Sequence, residues 1–147
     1  MATLLVEIPT ILFVGSNPSN ASKVDEAFYG ETQSSRVLAE WSKGIKGCKM
    51  HVNVLNKKTP KNRPLKRAEV KLNLDQLKEN IRCIGPHKVV ALGKTAARAL
   101  TLLRVDFFEM PHPSGRNRLN NNKIFIEKKI KELTEYCQST PLPSSTT

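Results

Sequence analysis

Lys88-Val89-Val90-Ala91-Leu92-Gly93-Lys94-Thr95-Ala96-Ala97-Arg98-Ala99-Leu100 is the stretch on which the reading of the fold turns. Val89 to Leu92 is an unbroken apolar run with no polar alternation, which is what a strand covered on both faces of a parallel sheet requires. Gly93 allows a sharp turn, and the segment from Thr95 to Leu103 reads as a helix with Thr95 as its N-cap. Ala96, Ala97 and Ala99 are small enough to bring that helix close onto a sheet. A strand that passes directly into a helix is half of a βαβ unit.

The same alternation extends in both directions. Upstream, Ile11-Leu12-Phe13-Val14 is a second continuous apolar run, ended by Gly15. The segment from Ser34 to Lys43 reads as a helix, and Val52 to Leu55 as a shorter strand. Lys57 to Lys71 follows, with seven basic residues against the single acid Glu69, and with Pro60 and Pro64 interrupting any regular helix. It is expected to be a basic surface loop. Leu74, Leu77, Ile81 and Ile84 recur at helical spacing, and Gly85-Pro86 is a stop signal. Downstream, Val105 to Met110 is a fourth strand, and Ile126, Ile130, Leu133 and Cys137 mark one face of a C-terminal helix. The order β-α-β-α-β-α-β-α predicts an α/β fold: a single domain with a four-stranded parallel sheet and helices on both faces. Residues 1–137 form that domain. Residues 138–147, rich in Ser, Thr and Pro, are expected to be a disordered tail.

The chain has 147 residues, 39% of them hydrophobic, which is enough for one modest core and too little for two. Its net charge of +11 is unevenly spread. Residues 1–42 hold Lys23 and Arg36 against Glu7, Asp25, Glu26, Glu31 and Glu40, so nearly all the positive charge lies in the remainder. That asymmetry predicts a basic face of the kind that meets nucleic acid. Cys48, Cys83 and Cys137 are widely spaced with no Cys-x-x-Cys pair, so neither a disulfide framework nor a zinc site is indicated, and a reducing compartment fits. The apolar start, Met1 to Val14, is broken by Glu7 and Pro9, lacks a basic leader and is too short to span a bilayer. The expectation is an intracellular, monomeric protein with no membrane partner.

Three short segments follow apolar runs: Gly15-Ser16-Asn17-Pro18-Ser19; Asn53, with Asn62-Arg63-Pro64 beyond it; and His112-Pro113-Ser114-Gly115-Arg116-Asn117. In an open parallel sheet, ligands bind outside the carboxyl ends of the strands, where such loops converge. Each segment alone is an ordinary turn. Placed together at one edge, they make a crevice.

In order and spacing, the three segments resemble the active-site loops of the uracil-DNA glycosylase superfamily. Asn53-Val54-Leu55-Asn56-Lys57-Lys58-Thr59-Pro60-Lys61-Asn62-Arg63 is similar to the stretch that carries the base-recognition Asn in its iron-sulfur branch, and Val89 to Leu100 resembles that branch's strand-helix unit. Two departures matter. Lys57 stands where that branch has a cysteine, and three thiolates do not make a four-cysteine cluster, so neither an iron-sulfur cofactor nor any other metal is expected. Asn17 stands where many members have an acid, as in the mismatch-specific thymine or uracil branch.

The resemblance implies roles. Breaking an N-glycosidic bond builds positive charge on the sugar and negative charge on the departing base, so the site needs a positioned water and a donor to the base. Asn17 would hold the water and His112 would donate to the pyrimidine O2, as the catalytic pair. Asn53 would pair with the base edge, Phe28 would stack on the flipped ring, and Gly15, Ser16 and Ser19 would complete the base site. Ser19 replaces the bulky Tyr that excludes 5-methyl groups in uracil-specific members, so thymine and larger 5-substituted pyrimidines are expected to fit. Lys57, Lys58, Lys61 and Arg63, with Ser114, Gly115, Arg116, Asn117 and Arg118, would contact single- or double-stranded DNA, with Arg116 near the position of a minor-groove wedge.

The implied activity is hydrolysis of a pyrimidine nucleoside in DNA, in repair. Two alternatives keep the same crevice. One is a DNA-modification enzyme of viral or phage type that transfers an amino acid or amine to a hypermodified thymine. The other is a non-catalytic DNA-binding or inhibitory module. His51 and His87 have no supporting context in the sequence and are assigned no role.

Overall fold

A computed structural model describes residues 8–16, 33–55, 65–113 and 122–139. The elements run β1 (Thr10–Gly15), α1 (Gln33–Ser42), β2 (Cys48–Asn53), α2 (Arg67–Ile84), β3 (Lys88–Leu92), α3 (Lys94–Leu102), β4 (Phe108–Met110) and α4 (Lys123–Gln138). The four strands form one sheet in the order β2-β1-β3-β4, and each neighbouring pair is parallel. The α/β class and the four-stranded parallel sheet are as the sequence predicts.

The two central strands explain why the apolar runs are continuous. Ile11, Leu12, Phe13 and Val14 of β1 and Val90 and Ala91 of β3 have no exposed surface. Alternate residues serve opposite layers. Leu12, Val14, Val89 and Ala91 pack with Val70 and Leu77 of α2 and with Ala96, Ala99 and Leu100 of α3. Ile11, Phe13, Val90 and Leu92 pack with Leu38 and Trp41 of α1 and Ile126, Leu133 and Cys137 of α4. The helices therefore lie in two pairs on the two faces of the sheet. The three alanines of α3 are all buried, as a helix lying close on a strand requires.

β2 is an edge strand and reads differently. Lys49 and His51 alternate with Met50 and Val52, and Cys48, Met50 and His51 are exposed. This polarity hides its first half from a search for apolar runs, so β2 begins at Cys48, where Val52 is expected, and ends at Asn53. β4, the other edge, is shorter than expected, because Val105 and Phe107 turn into the α2–α3 core layer and only Phe108–Met110 pairs with β3.

Helix ends also differ from expectation. α2 starts at Arg67, inside the segment expected to be a loop: the Lys66 N–H donates to Glu69 Oε1 at 2.7 Å, which satisfies one of the free donors of the first turn. Pro64 precedes that start and does not prevent it. The far end follows the sequence signal, with Gly85 left-handed at φ 60° and donating to the Ile81 carbonyl at 2.9 Å. α3 begins at Lys94 with Gly93 as its N-cap, so Thr95 lies within the first turn and does not cap it. The reversal at Gly93, φ 97°, is sharp enough to start the helix one residue earlier. α4 includes Gln138, the first residue of the expected tail, whose side chain donates to the Gly44 carbonyl. Residues 140–147 lie outside the described residues.

Candidate active site

The register places the carboxyl ends of all four strands in one row. Asn53 lies opposite Gly15, Leu92 lies opposite Met110, and Gly15 and Leu92 each follow directly on the paired Val14 and Ala91. Three inter-strand spacings separate Asn53 from Met110, about 14 Å in all. His112 lies two residues beyond Met110. The β1–β2 pairing continues past the strand ends, with Val54 N–H donating to the Gly15 carbonyl and Leu55 N–H to the Ser16 carbonyl, both at 2.9 Å. This extension fixes Asn53 against the start of the β1 loop.

Asn53 is 3% exposed, and among the described residues its Nδ2 is buried without a hydrogen-bond partner. A buried amide donor left in this state costs about 1–3 kcal/mol, a cost that native structures accept where a ligand completes the bonding. It shares a face of β2 with His51, whose ring stacks on Phe13 at 5.5 Å between centroids. Desolvation of the ring by the residues packed around it, and then the charge of Lys49, hold the His51 imidazole below its ordinary pKa.

At the other end of the row, His112 packs against Gly93. A β-carbon on Gly93 would lie 3.2 Å from His112 Cβ, and the Gly93 N–H donates to the Met110 carbonyl at 2.8 Å. Burial lowers the His112 pKa, so the imidazole is neutral at neutral pH. Lys94 Nζ stands 3.7 Å from Glu109 Oε2. Beyond His112 a cavity of about 450 Å³ opens between the ends of β3 and β4 and the first turns of α4.

Of the residues singled out in the sequence, the sheet brings Gly15, Ser16, Asn53 and His112 to one edge. Gly15 is buried and Ser16 half-buried. Asn17, Ser19, Phe28, Lys57, Lys58, Lys61, Arg63, Ser114, Gly115, Arg116, Asn117 and Arg118 lie outside the described residues. Gly93 was missed as part of the site, although a glycine between an apolar strand and a helix is itself the signal. Lys94, Glu109, Phe125 and Lys129 carried no signal, because only the packing of β4 and α4 brings them together. His87 has a structural role: its Nδ1 accepts the Thr10 N–H at 2.9 Å, at the opposite end of the sheet.

The three cysteines stand away from this edge, at the start of β2, the end of α2 and the end of α4. Among the described residues, no group of three His, Cys, Asp or Glu side chains is placed to hold a metal ion, and no helix is long and apolar enough to cross a membrane.

A parallel α/β sheet whose loops converge at the carboxyl ends of its strands defines a class in which ligands bind at that edge. The chain belongs to the uracil DNA glycosylase superfamily, whose family model matches residues 6–137. No curated protein matches the chain significantly. Membership supports a glycosylase-like function acting on DNA.

Proposed function

We propose that this protein is a monofunctional pyrimidine-DNA glycosylase. It flips uracil, thymine or a 5-substituted pyrimidine out of the DNA stack and hydrolyses its N-glycosidic bond. The observation that carries the reading is the buried amide nitrogen of Asn53 at the end of β2, unpartnered among the described residues. An Asn side chain offers an acceptor and two donors on one plane, which matches the O4 and N3–H edge of uracil or thymine. About 14 Å separates it from the end of β4, room for one pyrimidine with a hydrogen bond at each side.

His112 then faces the opposite edge of the base. Its burial keeps the imidazole neutral, and a neutral imidazole donates a hydrogen bond to O2 as negative charge builds on the leaving base. Asn17 holds the attacking water through its side-chain carbonyl. Because an amide is no base near neutral pH, the C–N bond breaks well ahead of water attack, and the departing base carries away the bonding electrons. The water adds to C1′ of the sugar and releases a proton, which leaves an abasic site and the free base. Phe28 stacks on the flipped ring, Ser19 leaves room for a 5-substituent, and Lys57, Lys58, Lys61 and Arg63, with residues 114–118, hold the phosphates. No cofactor enters the reaction, and the protein acts as a monomer inside the cell.

The test is a panel of oligonucleotides carrying uracil, mismatched thymine and 5-hydroxymethyluracil, read by alkaline cleavage and by nucleoside mass spectrometry. Alkali-labile breaks at the target, lost in Asn17→Ala and His112→Ala, are expected. A gain of mass on an intact modified base would instead identify a transferase. Tight binding with no product of either kind would identify a non-catalytic module.

A further inference from the structure

A second cavity, of about 550 Å³, opens at the other end of the sheet. Lys88, the first residue of β3, lies on its wall, whereas Gly93 and His112 lie past the last residues of β3 and β4, so the length of the sheet separates this cavity from the candidate active site. The shortness of β4 creates it. Pairing of β3 with β4 begins only at Val90 opposite Phe108, and Val105 turns into the α2–α3 layer before that point. Ile81, Pro86 and Val105 line the opening and are each half-buried, which leaves apolar surface in contact with water. Tyr136 of α4 is a fixed wall. Its ring stacks on Phe108 at 5.4 Å between centroids, Lys88 Nζ stands 4.8 Å from its centroid, and its hydroxyl is hydrogen-bonded to the Val89 backbone.

The chain leaves α4 at the rim of this cavity. Ser139, the residue after the helix, is already extended, with φ −68° and ψ 136°, and its Oγ accepts a hydrogen bond from Lys88 Nζ at 2.8 Å. The sequence continues Thr140-Pro141-Leu142-Pro143. Each proline confines the residue before it, Thr140 and then Leu142, to extended conformations, so the path set at Ser139 continues at little further cost in chain entropy. Chain of this kind advances about 3.1 Å per residue, and three residues reach about 9 Å, comparable with the width of the cavity. Apart from its two prolines, Leu142 is the one apolar residue of the segment 140–147.

We propose that this cavity is the docking site of residues 140–143 of the same chain, with Leu142 seated among Ile81, Pro86 and Val105. The segment acts as a clasp that ties the end of α4 to the last turns of α2 and the start of β3. Its attachment at Ser139 selects it over a separate peptide of like chemistry, because a short tether holds it at an effective concentration of about millimolar. Docking removes from water the apolar surface that the short β4 leaves open. The clasp is independent of the glycosylase reading, which concerns the opposite end of the sheet.

NMR relaxation on the full 147-residue chain, labelled on backbone nitrogens and on Leu, Ile and Val methyl groups, tests the clasp. Thr140 and Leu142 should show order parameters of about 0.85, the value of rigid backbone, and the Leu142 methyls should give nuclear Overhauser contacts to Val105 and Tyr136. Leu142→Ser should lower the order parameter at residue 142 below about 0.6 and shift the methyl signals of Ile81 and Val105. Amide exchange from Tyr136 to Gln138 should quicken about tenfold in that variant, in keeping with the loss of one seated leucine. An order parameter below about 0.6 at Leu142 in the unaltered chain would overturn the proposal, as would Ile81 and Val105 signals indifferent to Leu142→Ser. Contacts that vanish on dilution would place Leu142 in the cavity of a second copy and overturn docking within one chain.

Discussion

Asn53 lies opposite Gly15 in the parallel register of β2 and β1, and its amide nitrogen is buried there without a partner among the described residues. A fold stabilised at this position would pair that donor. Asn53→Ala removes a buried donor that is unpaired in the free protein, so the unfolding free energy in urea denaturation should hold or rise, by at most the roughly 1–3 kcal/mol that the unpaired donor costs. Turnover of a uracil- or thymine-containing oligonucleotide should fall by about 100-fold, since the base edge loses both hydrogen bonds. Equal losses of stability and activity would mean that Asn53 serves the fold.

Gly93 is constrained twice, by a φ of 97° and by the approach of His112 to within 3.2 Å of a β-carbon placed on it. Gly93→Ala should therefore destabilise the protein by about 1–2 kcal/mol. Its effect should not end with stability. A displaced His112 should show an altered imidazole titration by NMR, and kcat should fall more than KM rises. A variant with full activity and an unchanged His112 titration would remove Gly93 from the site.

Burial lowers the pKa of His112 in the folded protein, and His51 is lowered by desolvation of its ring and by Lys49. In the unfolded chain each titrates near 6.5. Between the folded and unfolded values the unfolded chain binds more protons, so stability rises with pH across that window and is level above it. Stability should decline as the pH falls below about 6.5. Denaturation at a series of pH values should show a shallower decline in His112→Gln. Catalysis that needs a neutral His112 should be flat from neutral to mildly alkaline pH and fall on the acid side.

Cys137 is buried among the α1–α4 core residues, and desolvation pushes its thiol up to about 11. Cys48 and Cys83 are exposed. A thiolate reagent at mildly alkaline pH should modify Cys48 and Cys83 quickly in the folded protein, and Cys137 only after unfolding. Mass spectrometry of partially labelled protein would locate each adduct. Rapid labelling of Cys137 would mean that α4 separates readily from the sheet.

Leu133 has no exposed surface and anchors α4 on the same layer. Leu133→Ala should cost about 2–5 kcal/mol, the range for deleting a buried leucine side chain. Because α4 forms one wall of the cavity beside His112, the variant should also lose affinity for DNA below its melting temperature. Calorimetry and anisotropy on one preparation would separate the two effects.

What the sequence determined by itself is the part governed by local chemistry. Ile11 to Val14 and Val89 to Leu92 are buried on both sides, so their continuous apolarity marks them as central parallel strands, and Gly85 and Gly93 mark turns because they take positive φ. Once those strands are parallel, Gly15, Asn53 and His112 must arrive at one edge. The tertiary structure decided the rest. β2 begins at Cys48 although its first half is polar, because pairing with β1 sets its register and an edge strand is only half covered. Thr95 does not cap α3, because the backbone at Gly93 has already turned. The seating of His112 on Gly93, and the cavity that joins Lys94, Phe125 and Lys129, depend on contacts between elements far apart in the chain. No periodicity or short motif encodes such contacts, because packing alone brings those side chains together.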